Sequence, residues 1–414
     1  MKKTIYVYDS WSENNPIKIG KLFVENIQGK ETYSFEYDPD WLNNYSMSVI
    51  LDPDIKLFTG RQYSTVPNKM FGVFSDSCPD RWGRLLMKRN EDINAKIEKR
   101  TPRKLSESDY LLGVNDETRM GALRFALEEG GDFVSNDPVL IPPLCNLREL
   151  ENAYREYESG NKPELWLKQL MSPGSSLGGA RPKANVKDAD GTLWIAKFPT
   201  KDDEIDVGAW EIVVHDLALL CGIDVPQAKA ERLSKYGTTY LVKRFDRDSG
   251  KRLHYASALA LLGKEDGNSE TSYLELLQFI LTSSSRVTRD SLELWKRIVF
   301  YMLVSNTDDH LRNHGFILDK LGWKLSPMFD VNPNPDGTAL SLCVDDNSGR
   351  LDLNLLLEVS EYFGIKEDIA IETIARMQDT IKHSWKFKAK QYGISASEIS
   401  MMEKCFALTE KKIK

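Results

Sequence analysis

Residues 306–330 read NTDDHLRNHGFILDKLGWKLSPMFD, and the placement of their polar groups sets how the rest of the chain is read. Just upstream, TRDSLELWKRIVFYMLVSN carries Leu292, Trp295, Ile298, Val299 and Met302 at helical spacing, which predicts a buried helix. Within the quoted stretch, GFILD and WKLSP read as a strand pair. Asp308 and Asn313 then fall in a short loop before the first strand, and Asp330 falls just after the second. Phosphoryl transfer requires a carboxylate to orient a hydroxyl and accept its proton, together with oxygen ligands for Mg²⁺. Asp308 followed five residues later by Asn313 has the Asp-x4-Asn spacing of a kinase catalytic loop, and Asp330 stands one hairpin later, after Phe329. We therefore expect Asp308 as catalytic base and Asn313 and Asp330 as Mg²⁺ ligands.

Working outward, residues 172–184 read SPGSSLGGARPKA, a loop whose Gly174, Gly178 and Gly179 free the backbone to present N–H groups to an anion. No Gly-Lys-Ser or Gly-Lys-Thr follows, so it is not a Walker A loop. Two strands come next, Lys183 to Asp188 and Thr192 to Phe198, joined through Asp190-Gly191 as a hairpin. Lys197 lies on the second strand. Fourteen residues on, Glu211 sits in a segment, 207–221, with Trp210, Val213, Val214, Leu217 and Leu220 at helical spacing and Gly222 and Pro226 as its stop. A strand lysine of this kind neutralises phosphate charge while a helix glutamate fixes its rotamer. The segment TTYLVKRFDR reads as a further strand.

The first 45 residues alternate in the strand manner, and 71–100 read as largely helical, with Trp82, Leu85 and Leu86 facing inward behind Pro79. Glycines and the pair Pro142-Pro143 punctuate 107–143, which reads as a linker or subdomain edge. From Ser269 the chain reads as helical almost throughout. Strand-rich first and helix-rich after gives an α+β chain of two-lobed, protein-kinase-like fold. Its parts are an accessory α+β domain over 1–105, an N-lobe-like region with the Gly-rich loop and hinge over 106–255, and a helical C-lobe over 256–414.

Composition narrows the alternatives. With 41% apolar and 28% charged residues and no low-complexity tract, the chain is globular. A net charge of −7 disfavours broad nucleic-acid binding, although Lys88 to Lys104 is a basic cluster. Cys78, Cys145, Cys221, Cys343 and Cys405 lack CxxC spacing and fit a reducing compartment. MKKTIYVYDS is no signal peptide and no apolar run is long enough to span a bilayer, so a cytoplasmic protein without membrane contact is expected. A zinc site on His310 and His314 is disfavoured because Leu311 stands where the HExxH pattern places its glutamate. His215, His254 and His383 have no motif context.

Several of these segments resemble the HipA-type toxin kinases of bacterial type II toxin–antitoxin systems. NTDDHLRNHGF is similar to that family's T-D-G-H-x-K-N-F segment, LSPMFDV to L-x-P-x-[YF]-D, and YLVKRFDR to its [VE]-R-F-D-R hinge strand. IGKLFVEN and FSDSCPDRWGR resemble its accessory domain. The resemblance implies an ATP- and Mg²⁺-dependent serine/threonine protein kinase, with Gly178, Gly179, Ala180, Arg181, Pro182 and Lys183 over the nucleotide and Lys197 at its phosphates, supported by Glu211. It further implies Lys243, Arg244 and Phe245 as the adenine hinge, with His310, Asn313 and Asp330 also on the nucleotide side. Ser176 corresponds to a serine that the family autophosphorylates, and a phosphate there adds about −1.5 to −2 charges beside the loop. The resemblance implies a protein substrate, aminoacyl-tRNA synthetases being among the family's targets, and a small helix-turn-helix antitoxin through which any DNA contact is indirect. The chain departs from the family pattern at Asp309, where the family has glycine, at Arg312, where it has lysine, and in the loop GGARPK. Two other readings are a small-molecule phosphotransferase and a nucleotide-binding regulatory module without turnover.

Overall fold

The computed structural model describes residues 2–46, 49–135, 141–159, 181–267 and 271–413. Ser176, Gly178, Gly179 and Ala180 lie outside the described residues. The chain divides into two compact units: residues 1–196, 244–264 and 317–322 form the first, and 197–243, 265–316 and 323–414 the second.

In the first unit, strands β1 (Lys2–Asp9), β2 (Ile17–Ile27), β3 (Lys30–Tyr37), β4 (Gln62–Tyr63) and β5 (Leu123–Ala126) form a sheet in the order β4-β3-β2-β1-β5. All pairings are antiparallel, with Ile5 opposite Leu22, Leu22 opposite Phe35, and Val7 opposite Phe125. Alternation puts Ile5, Val7, Leu22, Phe35 and Phe125 on a single buried face, each 0–1% exposed. The stretch expected as a linker thus supplies β5. Its four residues are too short to show a period of two, and their partner strand lies more than a hundred residues away.

Helix Arg81–Ile97 starts where Asp80 accepts the Gly83 N–H at 2.8 Å, an N-cap. Trp82 and Leu86 are buried while Leu85 is exposed. The basic cluster is partly neutralised: Arg100 pairs with Glu91 and Glu98, and Arg103 with Glu91 and Asp109. Strands β6 (Lys183–Lys187) and β7 (Leu193–Lys197) flank the turn at Asp190-Gly191, where Gly191 has φ +89 and donates to the Asp188 carbonyl at 3.0 Å.

The second unit is built around helix Val207–Leu220 and the antiparallel pair β8 (Ala228–Ser234) and β9 (Gly237–Lys243). Trp210, Val213, Val214 and Leu217 are fully buried, whereas Leu220 is exposed. Gly208 permits the close approach of this helix to β9, because a Cβ there would stand 2.0 Å from the Thr238 carbonyl oxygen. Gly208→Ala is expected to cost about 1–3 kcal/mol, the range for overpacking, read as a lowered thermal midpoint. The long helix Glu367–Gln391 packs on the same helix, with the ring centroids of Trp210 and Trp385 6.5 Å apart and Trp385 stacked on Phe406.

Helix Val287–Leu303 is buried through Leu294, Trp295, Ile298, Val299 and Met302, each 0% exposed, and Leu292 is exposed instead of buried. Residues 331–352 contain no helix and only isolated bridges, so the helical run expected after Ser269 is broken by a long loop. Among the described residues, no helix is long and apolar enough to cross a membrane.

Candidate active site

The expected site residues fall in both units. Arg181, Pro182, Lys183, Arg244 and Phe245 belong to the first, and Lys197, Glu211, Lys243, Asp308, His310, Asn313 and Asp330 to the second.

The second unit brings Lys197, Glu211 and Asp330 together. Lys197 stands at the end of β7, and its Nζ lies 2.5 Å from Glu211 Oε1 and 2.6 Å from Asp330 Oδ1. Glu211 is 3% exposed, held on a helix that Asp206 caps and the tryptophan cluster anchors. Burial alone would lower the pKa of Lys197, but the charges of Asp330 and Glu211 outweigh it and hold the ammonium above its ordinary value. Its Nζ also lies 5.7 Å from the centroid of the Tyr240 ring. Asp330 has φ +58, in the left-handed region that is uncommon for residues other than glycine and that Asp tolerates better than most. The direct Lys197–Asp330 contact joins groups 133 residues apart, and no sequence pattern announces it.

Asp308 and Asn313 lie on the loop after helix Val287–Leu303, which turns at Ser305 with φ +53. Leu311–Asn313 is a single 3-10 turn. Asp308 projects its carboxylate into solvent, 82% exposed, 3.8 Å from His310 Nε2. Asn313 donates from Nδ2 to the Asp308 carbonyl at 2.7 Å, which fixes which end of the amide is nitrogen. Its Oδ1 is buried and has no hydrogen-bond partner among the described residues. A buried acceptor without a donor is costly, and a bound cation relieves that cost. This orphaned oxygen and the Asp330 carboxylate are hard oxygen donors, the chemistry that Mg²⁺ takes. Asn306, not singled out in the sequence, ties the two loops: its Oδ1 accepts the Asn332 N–H at 2.9 Å.

His310 and His314 do not share a helix face, because the residues between them form a 3-10 turn. His314 is buried, its Nε2 lies 3.1 Å from the Asp309 carbonyl, and burial pulls its pKa down to about 3. Among the described residues, no three His, Cys, Asp or Glu side chains are grouped to hold a metal ion.

In the first unit Lys183 is buried, its Nζ 2.6 Å from Asp80 Oδ2, so the residue expected over the nucleotide is paired with the cap of helix Arg81–Ile97. Trp82 Nε1 donates to the Lys183 carbonyl at 3.0 Å. Arg244 points its guanidinium inward, to Asp246, Asn185 Oδ1 and the carbonyls of Thr118 and Arg119. Phe245 packs on Tyr255 with ring centroids 5.8 Å apart. In the second unit, the N–H of Lys243 donates to the Gln227 carbonyl at 2.8 Å.

Comparison with known proteins places these features in context. Residues 175–385 match the family model described as HipA-like C-terminal domain, and residues 14–125 match HipA N-terminal domain. Among curated proteins, "Putative kinase Y4dM" of Sinorhizobium fredii is 23% identical over 228 residues, covering 50% of this chain and 55% of the relative. "Putative kinase" of Haemophilus influenzae is 28% identical over 166 residues, covering 34% of this chain and 48% of the relative. The chain therefore spans about half the length of the curated relatives it matches. Among solved structures, HipA of Shewanella oneidensis, determined in a complex with HipB and operator DNA, superposes with a TM-score of 0.69 at 16% identity. The match covers 98% of this chain and 96% of that one, and it shows the fold.

Proposed function

We propose, from the premise that this chain belongs to the HipA family, that it is an ATP- and Mg²⁺-dependent serine/threonine protein kinase, the toxin of a toxin–antitoxin pair. The observation that carries this reading is Lys197 held between Glu211 and Asp330 in the unit that also bears the Asp308–Asn313 loop. In the reaction, Asp308 orients the acceptor hydroxyl and takes its proton. Lys197, its rotamer fixed by Glu211, offsets charge on the nucleotide phosphates. Asn313 Oδ1 and Asp330 would hold Mg²⁺, whose chemistry there is neutralisation of phosphate charge. An exposed carboxylate suits a base that must meet a large substrate, since a protein acceptor docks from outside. Ser176 is the proposed site of self-modification. The proposed partner is a small DNA-binding antitoxin, and the proposed acceptor is a cellular protein.

Incubation of the purified chain with γ-labelled ATP and Mg²⁺ tests this. The wild type is expected to label itself or a protein in a lysate, and Asp308→Asn to reduce labelling by about a thousandfold or more, as befits loss of a group needed in the transition state. Labelling that persists in Asp308→Asn removes Asp308 as the base. Transfer only to small acceptors would replace the protein-kinase reading with the small-molecule one.

A further inference from the structure

Asp309 is a position at which the catalytic segment departs from the family pattern quoted above, and it is 1% exposed. Burying a carboxylate is expensive unless its oxygens are hydrogen-bonded. Both are. Oδ1 accepts the Ser341 N–H at 2.6 Å, and Oδ2 accepts the hydroxyl of Tyr273, itself 0% exposed. Thr307, which precedes Asp308, is tied to the same downstream segment through its backbone and its side chain: Ser341 Oγ donates to the Thr307 carbonyl at 2.7 Å, and Asn334 Nδ2 to Thr307 Oγ1 at 2.8 Å. The His314 ring, edge-on to Tyr273 with centroids 5.5 Å apart, donates to the Asp309 carbonyl.

We propose that Asp309 is a positioning residue: through Tyr273 and the Ser341 backbone it locks the loop bearing Asp308 onto residues 334–341, the segment that follows Asp330. A glycine at this place could make neither side-chain bond and would leave the loop conformationally freer. Burial is the largest influence on the Asp309 carboxyl and raises it to about 6 in spite of the Tyr273 and Ser341 bonds. Its folded pKa thus exceeds the unfolded one, so the ionised form is held at neutral pH at a cost in stability.

The inference rests on the kinase reading, and the experiment separates the two. Phosphoryl transfer and amide exchange over 334–341 are measured for the full chain and for Asp309→Ala, Asp309→Gly, Asp309→Asn and Tyr273→Phe. Asp309→Ala and Asp309→Gly are expected to lower kcat about 10- to 100-fold, the effect of a misplaced catalytic group. KM for ATP should stay within about twofold, while exchange over 334–341 accelerates. Asp309→Asn, whose amide can still accept from Ser341 and donate to the Tyr273 oxygen, is expected to keep kcat within about threefold of wild type. Unchanged kcat or unchanged exchange in Asp309→Ala overturns the proposal, as does an Asn variant as slow as Ala. Should Asp309→Ala not fold, Tyr273→Phe removes one bond alone and must show the same direction in both readouts. A wild type without transfer overturns the kinase reading, and the exchange arm then still decides whether Asp309 ties the two segments.

Discussion

Lys197→Met is expected to abolish phosphoryl transfer and to lower stability by about 3–5 kcal/mol, the cost of breaking a buried ion pair from one side. The size follows from where the partners sit. Glu211 is 3% exposed and accepts from Lys197 at 2.5 Å, so removing the ammonium leaves the carboxylate in a site that water scarcely reaches. Asp330, at 25% side-chain exposure, can recover solvation and adds less. Two consequences then separate fold from chemistry. The double variant Lys197→Met/Glu211→Leu removes both charges and is expected to regain most of the lost thermal midpoint, because replacing a buried pair with apolar groups of similar volume is often neutral. It should remain inactive, since nothing restores the cation at the phosphates. Thermal unfolding and labelled-ATP turnover measured on the same preparations check both halves. Turnover by Lys197→Met within about tenfold of wild type would remove Lys197 from the proposed phosphate site.

How far the sequence carries depends on the distance over which each feature is encoded. The hairpin through Asp190-Gly191 and the helix from Val207 are local, written in turn residues and a 3.6-residue period, and both are read within a residue or two of their ends. The Lys197–Glu211 contact joins those two elements, because the end of a strand and the second turn of the next helix, linked by one short connection, have few ways to place their side chains. Leu85, Leu220 and Leu292 show the limit of periodicity: each fits an apolar stripe and each is exposed, since the edge of a stripe faces core or water according to what packs beside it. The interior of the catalytic loop is less legible still. Asp309 reads as an ordinary polar loop residue, and its partners Tyr273 and Ser341 lie 36 and 32 residues away. The same holds for RFDR, expected as the end of a strand: β9 stops at Lys243, and the Arg244 guanidinium turns to the carbonyls of Thr118 and Arg119, more than a hundred residues upstream.

That commitment yields the second large effect. Asp246→Ala is expected to destabilise the first unit by about 3–5 kcal/mol, because the buried Arg244 and the half-buried Arg247 share its carboxylate. Arg244 donates to it from Nε at 2.9 Å and from Nη2 at 2.6 Å, Arg247 from Nη1 at 2.6 Å, and the Gly121 N–H at 2.8 Å. Guanidinium groups do not shed their charge on burial, so removing the carboxylate leaves both cations in place without the anion they share. Burial would raise the pKa of Asp246, but Arg244 and Arg247 outweigh it and bring it down to about 2. With the folded pKa below the unfolded one, the stabilisation is complete above the ordinary carboxylate range and is lost as pH falls through about 2. The difference in unfolding free energy between wild type and Asp246→Asn should therefore be constant near neutrality and begin to shrink below about pH 4. Denaturant titrations of the two proteins across that range test it: a difference that does not depend on pH would assign the effect to packing, not to the shared charge.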